Sequence, residues 1–247
     1  MNMSFLVIEH AVYSFGTTGW WGGIAIFAAY AAIVFGAART WKGEELRIFE
    51  RWWGYALAAL LLAKHLFLYR EGLWNVHDNL EIHLCGFSRI LAILLLVFRQ
   101  TWAFYPLFFW GIVGGLHAFL TPQYTAGASP FMFWEYNLAH AGIMIVPLYH
   151  YFVHGFEIKR WTWVKMLAVN IALLVPVGLI NKATGANYMF LSQKPIANNP
   201  FIVGEWPTYI LGFVAAGALH YALLTVFFAR RSRPIGVESR SDQEDRQ

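Results

Sequence analysis

Seven apolar runs divide most of this chain into segments long enough to cross a lipid bilayer. A bilayer core about 30 Å thick needs about 20 mainly apolar residues per helical span. The runs cover Trp20–Ala38, Trp52–Tyr69, Ile82–Phe98, Trp102–Leu120, Phe133–Val153, Trp163–Ile180 and Pro207–Ala229. We therefore predict an all-α membrane protein, a bundle of seven transmembrane helices.

Composition supports a lipid environment and excludes several other classes. The chain is 58% hydrophobic and 13% charged, whereas an ordinary soluble domain is about 45–50% apolar and about 25% charged. A single soluble core could not hide this much apolar surface, which includes 12 Trp and 21 Phe. Disorder, collagen, a disulfide scaffold and a nucleic-acid binder are excluded, and Cys85, the single cysteine, forms no internal disulfide.

The placement of the basic residues predicts an orientation. Of the 18 Lys and Arg residues, thirteen fall on one side of the predicted spans. Only Arg70, Lys182 and Lys194 fall on the other side. Because cytoplasmic loops carry the excess of Lys and Arg, we expect the N-terminus outside and the C-terminus in the cytoplasm. The net charge of +4 then reflects topology and not a polyanionic partner.

The spans leave no room for a second folded domain. We predict a single transmembrane domain over residues 1–229, followed by a disordered cytoplasmic tail over residues 230–247. The first apolar run is long and has no Lys or Arg before it, so we expect an uncleaved helix and not a signal peptide. Gly111-x-x-x-Gly115 is typical of closely packed membrane helices.

Polar side chains are concentrated in one leaflet. An ionisable group inside hydrocarbon costs about 2.5–3.5 kcal/mol, so each one is a functional candidate. The polar and ionisable side chains in the predicted outer halves are Lys64, His65, Glu81, His83, Cys85, Ser88, Arg89, His117, Glu135, Asn137 and His140. The long loop 182–205, which contains Asn187 and Tyr188, lies on the same side, and we expect it to cap this region. The sequence thus predicts a polar cavity facing the extracytoplasmic side.

Helical spacing groups part of this set into a nucleophilic site. Glu81, Cys85, Ser88 and Arg89 fall within about one quadrant of the predicted third helix. Asn137 and His140 are three residues apart and share a face of the fifth. A thiolate is the reactive form of cysteine, and a nearby cation favours it. The alternatives are a cysteine that is only a small buried apolar side chain, and an Arg89 that only pairs with Glu81 or Glu135.

Four sequence blocks resemble a known family. They are His83-Leu84-Cys85, Trp110-Gly111 through Leu120-Thr121-Pro122, Asn137-Leu138-Ala139-His140 with Pro147-Leu148-Tyr149, and Ala186-Asn187-Tyr188-Met189-Phe190-Leu191 with Lys194-Pro195. In order and spacing they resemble the YwaF-like bacterial integral membrane family, which is grouped with the eukaryotic transmembrane protein 164 family. The resemblance covers the chain from about the second span to the last.

The resemblance implies a polytopic helical protein and, from the eukaryotic branch, a cysteine-dependent acyltransferase that moves fatty acyl chains between phospholipids and lysophospholipids. Cys85 matches the family's nucleophile and His140 its partner histidine. Two positions depart from the family pattern: Gly86 stands where an acidic or amide residue often follows the cysteine, and His117 where an amide is expected. The implied location is the bacterial cell (inner) membrane.

Three functional hypotheses follow. The first is a membrane lipid acyltransferase or acyl hydrolase that acts on phospholipid or lysophospholipid, without cofactor or metal. Its catalytic residues are Cys85 and His140, and its substrate-binding candidates are Arg89, Lys64, His65, Glu81, Ser88, His117, Glu135, Asn137, Asn187 and Tyr188. The second is a non-enzymatic receptor, transporter or lipid-binding protein that uses the same cavity. The third is a metal-dependent hydrolase built from His65, His77, Asp78, His83, His117 and His140. The oligomeric state stays open.

Overall fold

The computed structural model of the protein describes residues 11–124, 127, 129–195 and 204–229. Within these residues the chain forms seven long helices. They are α1 (Thr18–Thr40), α2 (Gly43–Arg70), α3 (Leu84–Phe98), α4 (Thr101–Leu120), α5 (Pro130–Val153), α6 (Thr162–Thr184) and α7 (Thr208–Phe228). A two-stranded antiparallel ladder joins β1 (Ala11–Val12) to β2 (Gln123–Tyr124), and a 3₁₀ turn covers Tyr188–Phe190. The predicted tail, residues 230–247, lies outside the described residues.

Each of the seven predicted apolar runs coincides with one of these helices to within a few residues, except that α2 begins nine residues before its run. Four of the helices, α1, α4, α6 and α7, are long and apolar enough to cross a membrane. The prediction of a multi-pass helical membrane protein is confirmed at this level. One expectation is wrong: Glu81 does not lie on the third helix, because α3 begins only at Leu84. The residues before it form an irregular segment that packs over the start of α3.

The helices form a five-helix body and a separate hairpin. Helix α5 is the centre of the body, because it contacts α1, α2, α3 and α4. Helices α6 and α7 pair with each other, and α6 contacts Phe104–Pro106 near the start of α4. At the C-terminal end of the hairpin, Phe228 of α7 packs against Phe108 and Tyr151 of the body. This arrangement leaves a space between the hairpin and the body.

Close approach of α4 to α5 depends on two glycines. A Cβ atom at Gly111 would overlap the backbone carbonyl oxygen of Ile143, and one at Gly115 would overlap the side chain of Met144. The interpretation of Gly111-x-x-x-Gly115 as a packing motif is therefore confirmed. Gly111 also ends a π-helical turn, Leu107–Gly111, whose five residues are all buried.

Replacing Gly111 with alanine should destabilise the protein by about 1–3 kcal/mol, because the backbone of α5 has to move to admit the methyl group. Gly36→Ala is the matched control, since Gly36 is also helical but a Cβ atom at this position would meet only open space. The control should leave stability unchanged or raise it by up to about 1 kcal/mol. Denaturant titration of the purified variants measures both, and equal stabilities would contradict this account.

A buried polar network lies where α3 ends, at the opposite end of the body from the polar groups predicted in the outer halves. Arg47 donates to the carbonyl oxygens of Leu96 and Val97 at 2.5 and 2.7 Å, and so satisfies acceptors left open where α3 ends. Glu50 accepts a hydrogen bond from Tyr149 at 2.7 Å, and its Oε1 lies 2.5 Å from Nε2 of His154. The network ties α2, α3 and α5 together, an arrangement that the sequence did not reveal.

Candidate functional site

A cavity of about 480 Å³ lies between the body and the α6–α7 hairpin. Its walls come from all helices except α1, from the segment before α3 that contains Glu81, and from loop residues that include Met189 and Phe190. We call the end of the bundle where α2 ends and α3 begins the cavity end. Most of the ionisable side chains predicted from the sequence lie there, so the expected concentration of polar groups is present.

Four charged side chains form a cluster on the cavity wall. Lys64 of α2 pairs with Glu81, and Arg89 of α3 pairs with Glu135 of α5. Arg89 also lies 3.5 Å from Glu81, so it contacts both carboxylates that the sequence suggested as its partners. The two cations and two carboxylates balance, which lowers the cost of holding charges in a largely buried site.

Cys85 occupies the first turn of α3 and lines the cavity. Its sulfur packs against Gly114 of α4, where a Cβ atom would lie 2.9 Å from Sγ. Gly114 therefore keeps room for this side chain. The residue after the cysteine is glycine for a similar reason, because a Cβ at Gly86 would lie 2.8 Å from the backbone of Glu81.

His140 projects into the same cavity from α5. Its Nδ1 lies 2.7 Å from the carbonyl oxygen of Tyr136, and its ring packs against the Tyr136 ring at an interplanar angle of 40°, with centroids 4.1 Å apart. If Nδ1 donates to this carbonyl, the neutral imidazole presents Nε2 as the acceptor nitrogen. No hydrogen bond joins the Cys85 thiol to His140 within the described ranges. The two predicted catalytic residues therefore line one cavity, with no hydrogen bond between them in the described part of the chain.

Some of the predicted binding residues line the cavity and others do not. Lys64, Glu81, Arg89, His117 and Glu135 are on its wall. The remaining candidates, which have structural contacts instead, are His65, Ser88, Asn137, Asn187 and Tyr188.

Two of these remaining residues satisfy helix and loop backbone groups. The fully buried Ser88 hydroxyl donates to Leu84 O, within its own helix. The amide of Asn187 bonds the backbone of Ser192 and Gln193 and so shapes the loop.

The other polar contacts tie neighbouring elements together. Asn137 donates to the Tyr124 hydroxyl at 2.9 Å, joining α5 to β2. His65 accepts a hydrogen bond from the Trp74 indole, and its Nε2 lies 3.4 Å from Glu81. These contacts account for both side chains without a ligand.

The loop after α6 closes one side of the cavity, as its length suggested. The buried Tyr188 hydroxyl donates to Val76 O at 2.6 Å and accepts from Leu80 N at 2.9 Å. Burial raises the pKa of Tyr188, which keeps this hydroxyl protonated. Met189 and Phe190 both have left-handed backbone angles, with φ of 55° and 54°, a conformation that costs about 1–2 kcal/mol per residue. Met189 and Phe190, which line the cavity, thus belong to a strained turn that the hydrogen bonds of Tyr188 hold in place.

The hairpin contributes polar residues that the sequence analysis missed. The Asn170 amide donates to the Tyr221 hydroxyl at 2.8 Å, and the rings of His117 and His220 meet with centroids 5.1 Å apart. All four line the cavity. An amide in the middle of an apolar span was the available signal for Asn170. The wall also holds two buried polar atoms with no hydrogen-bond partner in the described part of the chain, Trp110 Nε1 and Asn170 Oδ1.

The histidines of the third hypothesis are dispersed. His65 contacts Glu81, His83 accepts a hydrogen bond from Met189 N, His117 faces His220, and His140 is bonded to Tyr136. Among the residues with described positions, no group of three or more His, Cys, Asp or Glu side chains is placed to hold a metal ion. The arrangement therefore offers that hypothesis no ligand set.

The fold and cavity define a class: a polytopic helical membrane protein with an internal cavity that is charged at one end and mainly apolar along the hairpin. The model of the TMEM164 family matches residues 12–225, which include every residue that lines the cavity. The chain belongs to the TMEM164 family, and the predicted relationship to the transmembrane protein 164 family is confirmed. A search of curated proteins and a search of solved structures gave no match.

Proposed function

We propose that the protein is a membrane lipid acyltransferase or acyl hydrolase in which Cys85 is the nucleophile and His140 carries the proton. In this proposal the seven helices all span a bacterial cell (inner) membrane, with the N-terminus outside and the cavity open to the outer leaflet. The observation that carries it is the presence, in one cavity, of the thiol and of an imidazole whose Nδ1 is already engaged.

In the first step the sulfur of Cys85 attacks the carbonyl carbon of a phospholipid ester. A carbon–sulfur bond forms as the ester carbon–oxygen bond breaks, and the lysophospholipid leaves. The thiol proton passes to Nε2 of His140 and then to the departing oxygen. Apo sites often have longer separations than reacting ones, so a rotation of either side chain, or one bridging water, supplies the missing contact.

In the second step a lysophospholipid hydroxyl, or water, attacks the thioester. The new carbon–oxygen bond forms, the carbon–sulfur bond breaks, and the proton of the attacking oxygen returns through His140 to the sulfur. A lipid acceptor gives acyl transfer and water gives hydrolysis. The same residues serve both outcomes, so the supply of acceptor decides between them.

Arg89 and Lys64 are suited to hold negative charge in this reaction. A guanidinium has five N–H groups, and the described contacts of Arg89 involve only its two terminal nitrogens. In this proposal Arg89, one helical turn after Cys85, uses its remaining donors to hold the tetrahedral oxyanion or a headgroup phosphate.

Trapping of the intermediate tests this mechanism. Purified protein in nanodiscs is supplied with phosphatidylethanolamine that carries a radiolabelled acyl chain, and the reaction is quenched with acid. We expect a protein-bound label that neutral hydroxylamine releases and that maps to the peptide containing Cys85. Because Cys85 is the single cysteine, the assignment is direct. Acyl transfer without any label on this peptide would exclude the thioester route.

A non-enzymatic lipid-binding role is the second candidate. The observations that favour it are the neutralised charged cluster and the lack of a hydrogen bond between Cys85 and His140 in the described structure. Under this role Cys85→Ala retains full function, whereas Glu135→Gln, which disturbs the partner of Arg89, weakens lipid binding. Mass spectrometry of co-purified lipid tests the binding defect of Glu135→Gln, and acyl transfer by the unchanged protein, which this role excludes, separates the two candidates.

A further inference from the structure

The α6–α7 hairpin presents one face of each helix to the cavity. On α6 the lining residues are Leu167, Asn170, Ile171 and Leu174, and on α7 they include Ile210, Phe213, Val214, Gly217 and Tyr221. Both sets follow the spacing of one helical face. Residues on other faces of the hairpin, such as Val175 and Leu211, are 68% and 70% exposed and lie on the apolar outer surface. The hairpin is therefore a wall between membrane and cavity.

Gly217 lies in the middle of the cavity-facing stripe of α7. A Cβ atom built on it has no other atom within 4 Å, so the space beside this helix is open. His220, three residues further along, meets His117 of α4, and Gly114, three residues before His117, touches the Cys85 sulfur. Gly114 and Gly217 thus lie on the two helices that meet at the His117–His220 contact, and each leaves room in the cavity beside it.

We propose that the space beside Gly217 is a slot for one fatty acyl chain of a membrane lipid. The charged cluster at the cavity end suits the polar part of such a molecule, and the mainly apolar cavity-facing sides of α6 and α7 suit its chain. A cavity of about 480 Å³ is within the range of about 300–1,000 Å³ of small-molecule sites. The position of the ester beside Cys85 rests on the proposed function, whereas occupation of the slot by a chain does not.

Photolabelling tests the slot independently of catalysis. Cys85→Ala protein is placed in phosphatidylcholine nanodiscs that contain phosphatidylcholine with a diazirine in the middle of one chain. After irradiation, mass spectrometry should find label on cavity-facing residues such as Leu174 and Val214. Adding Gly217→Phe should reduce this label about tenfold or more, because the ring takes the space of the chain. Label on lipid-facing Val175 and Leu211 should persist.

Gly178→Phe is the matched control. Gly178 is a helical glycine of α6 that does not line the cavity, and a Cβ atom at this position would also meet only open space. Label inside the cavity should stay within about twofold of the Cys85→Ala protein. An undiminished cavity label in Gly217→Phe, an equal loss in both variants, or label only on lipid-facing residues would overturn the slot. Failure of the thioester experiment alone would overturn the mechanism and leave the slot intact.

Discussion

Replacement of Cys85 with alanine is expected to abolish acyl transfer, with a loss of about 10⁴-fold or more in turnover. The sulfur is the only group in the proposed mechanism that forms a covalent bond to the acyl carbon, so no neighbouring side chain replaces it. Alanine removes little volume beside Gly114, and we therefore expect the fold to persist. The measurement is transfer of a labelled acyl chain to lysophospholipid by purified protein in nanodiscs.

Ser88→Ala is the matched control for this experiment. Ser88 is a small polar residue of the same helix, but its buried hydroxyl donates to the backbone of Leu84 and does not line the cavity. Activity should remain within about threefold of the unchanged protein. If Cys85→Ala were as active as Ser88→Ala, the cysteine would be a structural residue, and lipid binding without catalysis would replace the proposed function.

Replacement of Arg89 with methionine is expected to destabilise the protein by about 3–5 kcal/mol, because it leaves a buried carboxylate without its cation. Glu135 is 3% exposed and has Arg89 as its ion-pair partner. Glu81 is less affected, since Lys64 and His65 remain beside it. The free energy of unfolding, measured by denaturant titration in detergent micelles, checks the size of the effect.

The double variant Arg89→Met, Glu135→Leu removes both charges of the pair. It therefore separates the effect of losing the ion pair from the effect of leaving the Glu135 carboxylate buried without a cation. Replacing a buried pair with apolar residues of similar volume is often neutral or stabilising, so most of the lost stability should return. Acyl transfer should not return, because Arg89 is proposed to hold the reacting oxyanion or phosphate. A double variant as unstable as Arg89→Met, or one with normal activity, would contradict this assignment.

The candidate site was only partly predictable, and the reason differs from residue to residue. Cys85, His140, Arg89 and Glu135 were found because ionisable or nucleophilic groups are rare within apolar spans. Ser88 and Asn137 carry the same signal, yet they serve the backbone of α3 and the contact between α5 and β2. The sequence does not reveal how each helix is rotated about its own axis relative to its neighbours. That rotation decides which polar side chains reach the cavity.

The sequence by itself determined where the helices lie and that most ionisable groups within the apolar runs gather towards one end, because apolar length and residue type are local properties. It also predicted a close helix contact through Gly111 and Gly115, whereas the structure identified α5 as the partner helix. Only the tertiary structure decided that Glu81 lies in the segment that packs over the start of α3, and that Arg89 contacts two carboxylates. It also decided that α6 and α7 enclose a space beside Cys85. These contacts join residues far apart in the chain, so they depend on how the helices pack.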